Sequence, residues 1–481
     1  MSKRLVALAL VVLSVFVVAS TSAGGNERVT AIFAESSRPG TPRMAVGDDV
    51  VSVTWFCGGT AALGAADNGE YGGDVIATNP SETSATGTVT ILTIDRDPVV
   101  VPFSVEPRSQ ATVDLDQVVT ANYVSAVVEV DRVDVTVEQR SLHPAGDVLS
   151  PCANTTAAEW YVADGFTASD SDLRLLMSNP YLSPAIVDIT ISTAQGPRSP
   201  SELQGYVIPP RSLRVLNLEE AGFRDEPVVA ASVVASSGRI VVAKDQHFLG
   251  SGRLGHVTSL GAPALGDEWW FADGEKGEGV IERLVIFNPT DTDVEADVIV
   301  LGLDESAGVI EPTTLTVPSR EVVVFDTSAI AGLPDGRHGL LVSTLSEPAL
   351  VVERVLTRPT GESVSTSVLL GAEGNALSTR WLASVTPTVA LEGALVVLNV
   401  SPNDASVDVL SVGPGGEDPI PQLSDITIAA NGWRSIDLVD AVSLGRPIVV
   451  RSDQPILVER RIERNQRGSG TSAALAFPDP S

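Results

Sequence analysis

The sequence predicts an all-β protein, with four tandem Ig-like or fibronectin-like β-sandwich modules following an N-terminal signal or anchor segment. Three observations predict it. A tryptophan phrase recurs: Trp55-Phe56-Cys57, Glu159-Trp160-Tyr161-Val162-Ala163-Asp164-Gly165, Glu268-Trp269-Trp270-Phe271-Ala272-Asp273-Gly274 and Trp381-Leu382-Ala383. The four tryptophans Trp55, Trp160, Trp269 and Trp381 stand 105, 109 and 112 residues apart. That period is too long for solenoid or propeller units of about 20 to 50 residues and suits one independently cored sandwich. The segments between are short β-branched runs broken by Pro, Gly, Asp and Asn, which read as strands by residue type and by period.

Later landmarks keep step with the tryptophans. Strand exits at Asn79-Pro80, Asn179-Pro180 and Asn288-Pro289 place an Asn that can bond its own backbone before a Pro that presets the next turn position. The fourth copy has Asn399-Val400 and lacks the Pro, and Trp381 is not followed by Asp-Gly, so the role of those residues need not extend there. A strand-turn-strand phrase follows: Val105-Glu106-Pro107-Arg108, Ile208-Pro209-Pro210-Arg211, Val317-Pro318-Ser319-Arg320 and Ile428-Ala429-Ala430-Asn431. Each copy closes on an apolar strand ending in a charge, at Glu138, Lys244, Glu353 and Glu459.

In chain order, Ser2-Lys3-Arg4, the apolar run Leu5 to Ala19 and the small residues to Gly25 read as a signal peptide over residues 1–23 with cleavage after Ala23. An uncleaved anchor is the other reading, though the run is short of the roughly 20 residues of a spanning helix. Residues 24–48 read as a spacer, with a possible strand at Val29 to Phe33. The modules then occupy residues 49–152, 153–262, 263–374 and 375–481. Within the first, strands are expected over Thr88 to Ile94, Val99 to Val101, Ala111 to Leu115, Val124 to Val130 and Val133 to Val137. With a signal segment and no second apolar run of that length, the expected location is extracytoplasmic, secreted or membrane-anchored at the cell surface; the last strand is expected to leave no sorting motif or membrane helix after it, so attachment would come from the N-terminal segment or from binding.

Lys+Arg is 31 against Asp+Glu 61, a formal charge of −30. Nucleic acid is excluded as a partner, since phosphate binding needs a basic footprint. An acid excess of this kind keeps an extended protein soluble. The two cysteines, Cys57 and Cys152, form an even pair in an exported chain and read as a disulfide.

The signal segment, the tandem Trp-aromatic-x-Ala-Asp-Gly phrases and the Asn-Pro strand exits resemble an uncharacterised family of secreted actinobacterial proteins (domain of unknown function 5719) with tandem bacterial Ig-like repeats. The resemblance covers the chain from about Val53 onward and implies no activity.

Motifs for chemistry are few. Gly250-Ser251-Gly252-Arg253-Leu254-Gly255 matches a dinucleotide-binding pattern, but a strand rather than a helix follows it, so it reads as a hairpin loop. His247 and His256 flank that hairpin and could meet across it, which is too few ligands for zinc. Asp291, Asp293, Glu295 and Asp297 alternate, which reads as a solvated strand face rather than a calcium loop. No metal, cofactor or catalytic set is expected. In the Trp-phrases adjacent residues point to opposite faces, so one aromatic enters the core while its neighbour faces out or toward the next module. Tyr161, Asp164, Trp270 and Asp273 are thus the candidate binding platform. The expected role is a non-enzymatic envelope scaffold, spacer or adhesion-type array, with cell-envelope polysaccharide or another envelope protein as partner. The alternatives are a carbohydrate-binding module array and, from another class, a polysaccharide-processing enzyme using paired carboxylates.

Overall fold

The computed structural model describes residues 53–64, 71–303, 310–344, 347–385, 391–438, 445–464 and 471–479. The signal segment and spacer expected over residues 1–48 lie outside the described residues.

The first module sets the pattern. Its strands are β1 (Val53–Ala62), β2 (Gly72–Asn79), β3 (Ala85–Leu92), β4 (Val99–Val105), β5 (Ser109–Asp114), β6 (Ala121–Val130), β7 (Thr136–Leu142) and β8 (Val148–Pro151). They pair antiparallel in two four-stranded sheets, β1-β6-β3-β4 and β5-β2-β7-β8. The run Val133 to Val137, expected as a strand, only enters β7 at Thr136. β-Branched residues alternate inward from both sheets, as in Val89, Ile91, Val128 and Val137, and give a dry interior. The all-β, four-sandwich fold class read from the sequence holds along the chain: the second and third modules repeat the two-sheet plan. In the fourth, the 17-residue strand Ile448–Arg464 passes through both layers. It pairs with Ala405–Gly413 and Ser378–Ala383 near its start and with Leu391–Asn399 and Thr471–Leu475 near its end, which merges the layers into one nine-stranded sheet.

The repeated phrases have repeated jobs. Trp55, Trp160, Trp269 and Trp381 are each at most 1% exposed and fill the middle of their sandwiches. Three anchor there by donating Nε1–H to a backbone carbonyl: Trp160 to Ile240, Trp269 to Leu350 and Trp381 to Ile456. The next residue in each phrase pairs with the far end of its module, or in the first with the residue just past it: Phe56 with Ala153, Tyr161 with Ala262, Trp270 with Ala372 and Leu382 with Phe477. The strand-exit asparagines are fully buried, and each Oδ1 accepts a backbone N–H two residues on. Each Nδ2 spans back to the carbonyl four residues on and to the strand-turn-strand phrase, as Asn399 does to Asn403 and Ile428. Asn399 performs this without a following Pro, so the departure of the fourth copy leaves the function intact. The fourth residue of every turn phrase sits in the left-handed region: Arg108 at φ 50°, Arg211 at 47°, Arg320 at 60° and Asn431 at 53°.

The modules close into a ring. Their final hairpins turn one strand each toward a common axis: β8, Arg253–Leu260, Ser363–Leu370 and Thr471–Leu475. Each axial strand packs on the next, and the fourth returns to the first. Leu149, Leu260, Leu369 and Leu475 meet there around an apolar cavity of about 70 Å³. The hydrophobic interiors cross module boundaries too, since Leu382, Leu410, Val449 and Phe477 of the last module share one cluster with the core of the first.

Candidate functional site: the module junctions and the histidine cleft

The charged residues that end each closing strand sit at the junctions. Glu353 of the third module reaches into the second, where its Oε2 accepts the N–H groups of Ala163, at 2.9 Å, and Asp164, at 2.5 Å. Lys244 Nζ lies 2.6 Å from Glu353 Oε1 and 2.6 Å from the Asp164 carbonyl. Glu459 repeats the device one junction on, accepting N–H from Ala272 and Asp273, both at 3.1 Å, and pairing with Arg354. Glu138 repeats it where the ring closes, pairing with Arg460 and accepting from Ser384 Oγ. All six of these ionic side chains are at most 4% exposed. Burial pushes the Glu353 carboxyl above the usual range, against the pull of Lys244.

Asp164 and Asp273 of the sequence-expected platform are each 1% exposed and serve these junctions. Asp164 is paired with Arg253 at 2.9 Å, while Asp273 is held by Arg337, Arg358 and Arg461. Burial opposes ionisation of Asp273, but its arginines hold the carboxyl below the ordinary value. Tyr161 is 6% exposed, packs into the interior shared with the third module and donates its hydroxyl to Glu159. Trp270 is half-buried, with Nε1–H directed to Glu268. Tyr161, Asp164 and Asp273 therefore face the next module, while Trp270 keeps its contacts with Glu268 and Ala372 inside its own. The module that follows in the chain covers them: Glu353 of the third meets Asp164, and Glu459 of the fourth meets Asp273.

The junction between the first and second modules is built differently. The position that carries Glu elsewhere is Lys244, which has no acceptor to offer and turns to the third module. The facing phrase residues are Gly58 and Gly59. A Cβ on Gly58 would stand 2.5 Å from Ala243 Cβ, so only glycine allows this approach. Gly59 N–H is taken instead by Gln139 Oε1 of its own module at 3.0 Å. The Cys57–Cys152 disulfide, with S–S 2.05 Å, fixes the first module beside this contact, as the cysteine count predicted.

Above the close contact the modules part into a polar cleft of about 200 Å³. Three of the chain's four histidines meet in it. The Gly250 to Gly255 motif is a hairpin, with Ser251 and Gly252 at positive φ, and it registers His247 opposite His256. His143, from the β7–β8 turn, stacks on His256 at 4.2 Å and contacts His247 edge-on at 4.5 Å. The sequence pairs His247 with His256 through their hairpin; nothing in it points to His143, about a hundred residues earlier. Among the described residues no group of three or more His, Cys, Asp or Glu is arranged to hold a metal ion.

Asp245 anchors the cleft floor. Its Oδ1 accepts from His256 Nε2 at 2.7 Å and Thr258 Oγ1 at 3.1 Å, and its Oδ2 accepts from Tyr123 Oη at 2.9 Å. Burial would raise its pKa, but His256, Tyr123 and Arg174 prevail and lower it to about 2. Asp172 is bound by Asn217 Nδ2 at 3.0 Å and by Arg174. Both carboxylates are thus committed to protein partners. Burial of His247, reinforced by the neighbouring His256, pushes its pKa down.

A family model described as "Family of unknown function (DUF5719)" matches residues 134–247 and 261–479. No curated protein matches the chain. Among solved structures, "Biofilm associated protein - BSP domain" aligns at 9% identity over 91% of this chain and 98% of that one, with a TM-score of 0.14. "Crystal structure of tetra-tandem repeat in extending region of large adhesion protein" aligns at 15% identity over 88% and 100%, with a TM-score of 0.13. Scores this low carry no argument about arrangement or role. The two segments matched by the family model make up well over half of the sequence, and the chain belongs to the Family of unknown function (DUF5719).

Proposed function

We propose that this chain is a non-enzymatic extracytoplasmic structural and interaction protein, in which four sandwiches act as one rigid ring-shaped unit at the cell envelope. The observation that supports it is the buried Arg460–Glu138 pair, which ties the last module to the first and turns a tandem array into a closed body. Gln110 of the first module adds a two-way bridge there, accepting Val385 N–H at 3.1 Å and donating to the Val385 carbonyl at 2.5 Å. A closed body presents fixed clefts and loops to a partner without the entropic cost of ordering a flexible string. The disulfide fits an oxidising compartment, as an exported chain would meet. Commitment of Asp172 and Asp245 to protein partners favours binding over acid–base catalysis in the one polar cleft described above.

Small-angle scattering tests the closed form. A compact unit of roughly 430 residues has a radius of gyration of about 22 Å, whereas four such modules end to end give about 40 Å. The larger value for the exported protein would refute the ring and return the reading to a spacer.

A further inference from the structure

The histidine cleft does not end at the histidines. It continues between the first and second modules into a hollow of about 420 Å³, and from there along the first module into one of about 360 Å³; the two share Leu63, Ile94, Asn122 and Tyr123. These volumes fall in the range of about 300 to 1,000 Å³ common to small-ligand sites. At the other three junctions a buried carboxylate and its basic partner stand between the modules. At this junction the equivalent position is Lys244, which is bonded to Glu353 and the Asp164 carbonyl instead.

We propose that this groove is a binding site for an uncharged oligosaccharide. The lining alternates two kinds of surface. Tyr71, Leu63 and the exposed Ile94 offer apolar faces against which the C–H side of a sugar ring can lie. Asn122, Asn217, Arg174 and His247 stand between them with planar polar groups suited to hydroxyl pairs. Three of these polar groups are unspent: Tyr71 Oη, the Asn122 amide and the His247 ring nitrogens have no hydrogen-bond partner among the described residues. Others are preorganised. Arg174 lies over the Tyr123 ring at 5.3 Å and is fixed by Asp172, and Asn217 is held at both ends, donating to Asp172 and accepting Glu220 N–H at 3.0 Å. A wall held this way loses little freedom when a ligand binds.

Charge selects the glycan class. The groove carries Asp95, Asp172, Glu220 and Asp245 against Arg96 and Arg174, on a chain with a formal charge of −30. A polyuronate or phosphate-bearing polymer would be repelled on approach and would find no basic cluster to pair with. An uncharged chain meets neither penalty. This site is distinct from Tyr161, Asp164 and Asp273, which neighbouring modules cover, and its occupancy does not depend on a scaffolding role.

The test is calorimetric titration of the disulfide-intact protein with three uncharged hexasaccharides, built from N-acetylglucosamine, glucose and mannose, beside an oligogalacturonate. The expected result is saturable binding of at least one uncharged hexasaccharide and none of the acidic chain. Tyr71→Ala and Asn122→Ala should each weaken binding at least fivefold, and the pair should abolish it, with melting temperatures unchanged. Asn122 is exposed, so its variant remains informative even if Tyr71→Ala disturbs the fold. No binding of any uncharged hexasaccharide, tighter binding of the acidic one, or binding unmoved by Asn122→Ala in a folded protein would each overturn the proposal.

Discussion

Replacing Glu459 by Gln asks how much one buried junction charge contributes to holding the ring together. Gln has the same shape, and its single carbonyl oxygen can still accept the Ala272 and Asp273 N–H groups, so backbone satisfaction survives. What is lost is the countercharge of Arg354, a guanidinium only 1% exposed whose chief carboxylate partner is Glu459. Glu282 Oε1 stands 4.0 Å from Arg354 Nε, beyond hydrogen-bond reach, so it replaces Glu459 only in part. Stranding a buried charge costs about 3 to 5 kcal/mol. Removing both charges, as Arg354→Met with Glu459→Gln, leaves an apolar contact and should cost about 0 to 2 kcal/mol, so the double-mutant cycle should return a coupling of at least about 2 kcal/mol. The assay is a thermal melt of parent, both single variants and the double. If the ring unfolds as one unit, unfolding entropy gives roughly 1 °C per kcal/mol for a body of this size, a drop of about 3 to 5 °C for Glu459→Gln. If a module of about 110 residues melts alone, the drop exceeds 10 °C and a second transition separates. A Glu459→Gln melt within 1 °C of the parent, or a double variant no better than the sum of the singles, would refute the reasoning.

Four further outcomes are expected. Trp160→Ala and Trp269→Ala should each cost about 3 to 5 kcal/mol in denaturant melts, since each empties a sandwich core and leaves a carbonyl without its indole donor; melts like the parent would remove the core role. Asn399→Ala should cost about 2 to 4 kcal/mol by orphaning Ser401 N–H and the carbonyls of Asn403 and Ile428, read by urea unfolding; a change under 0.5 kcal/mol would mean water replaces the side chain. Reducing Cys57–Cys152 opens a 95-residue loop and should lower stability by roughly 4 to 5 kcal/mol, with mass spectrometry of the exported protein checking that the bridge forms. Because His247 titrates lower when folded than its ordinary 6.5, the unfolded chain takes up its proton first, so stability should fall as pH drops below about 6.5 and be regained toward pH 7.5. Its surroundings are His143, His256, Asp245 and Arg174; His247→Gln should flatten that slope, and an unchanged slope would assign it elsewhere.

By itself the sequence determined the module. Tryptophan spacing, strand-exit asparagines and β-branched runs are local signals, and each reports a packing need that one sandwich meets alone: a core filler, a turn, a dry sheet face. The disulfide was legible for the same reason, since two cysteines in one chain allow one pairing. Tertiary structure decided everything that depends on which module faces which. Glu138 and Arg460 are 322 residues apart; the repeat sets each at or beside a closing-strand landmark but does not say that the first and last modules meet, and only the stacking of four axial hairpins brings the ends of the array together. Tyr161, Asp164 and Asp273 look like surface residues on an isolated strand and become interior ones because a neighbouring module covers them. The histidine cleft has the same origin, since its walls, from Tyr71 and His143 on one side to Arg174 and His247 on the other, belong to two modules.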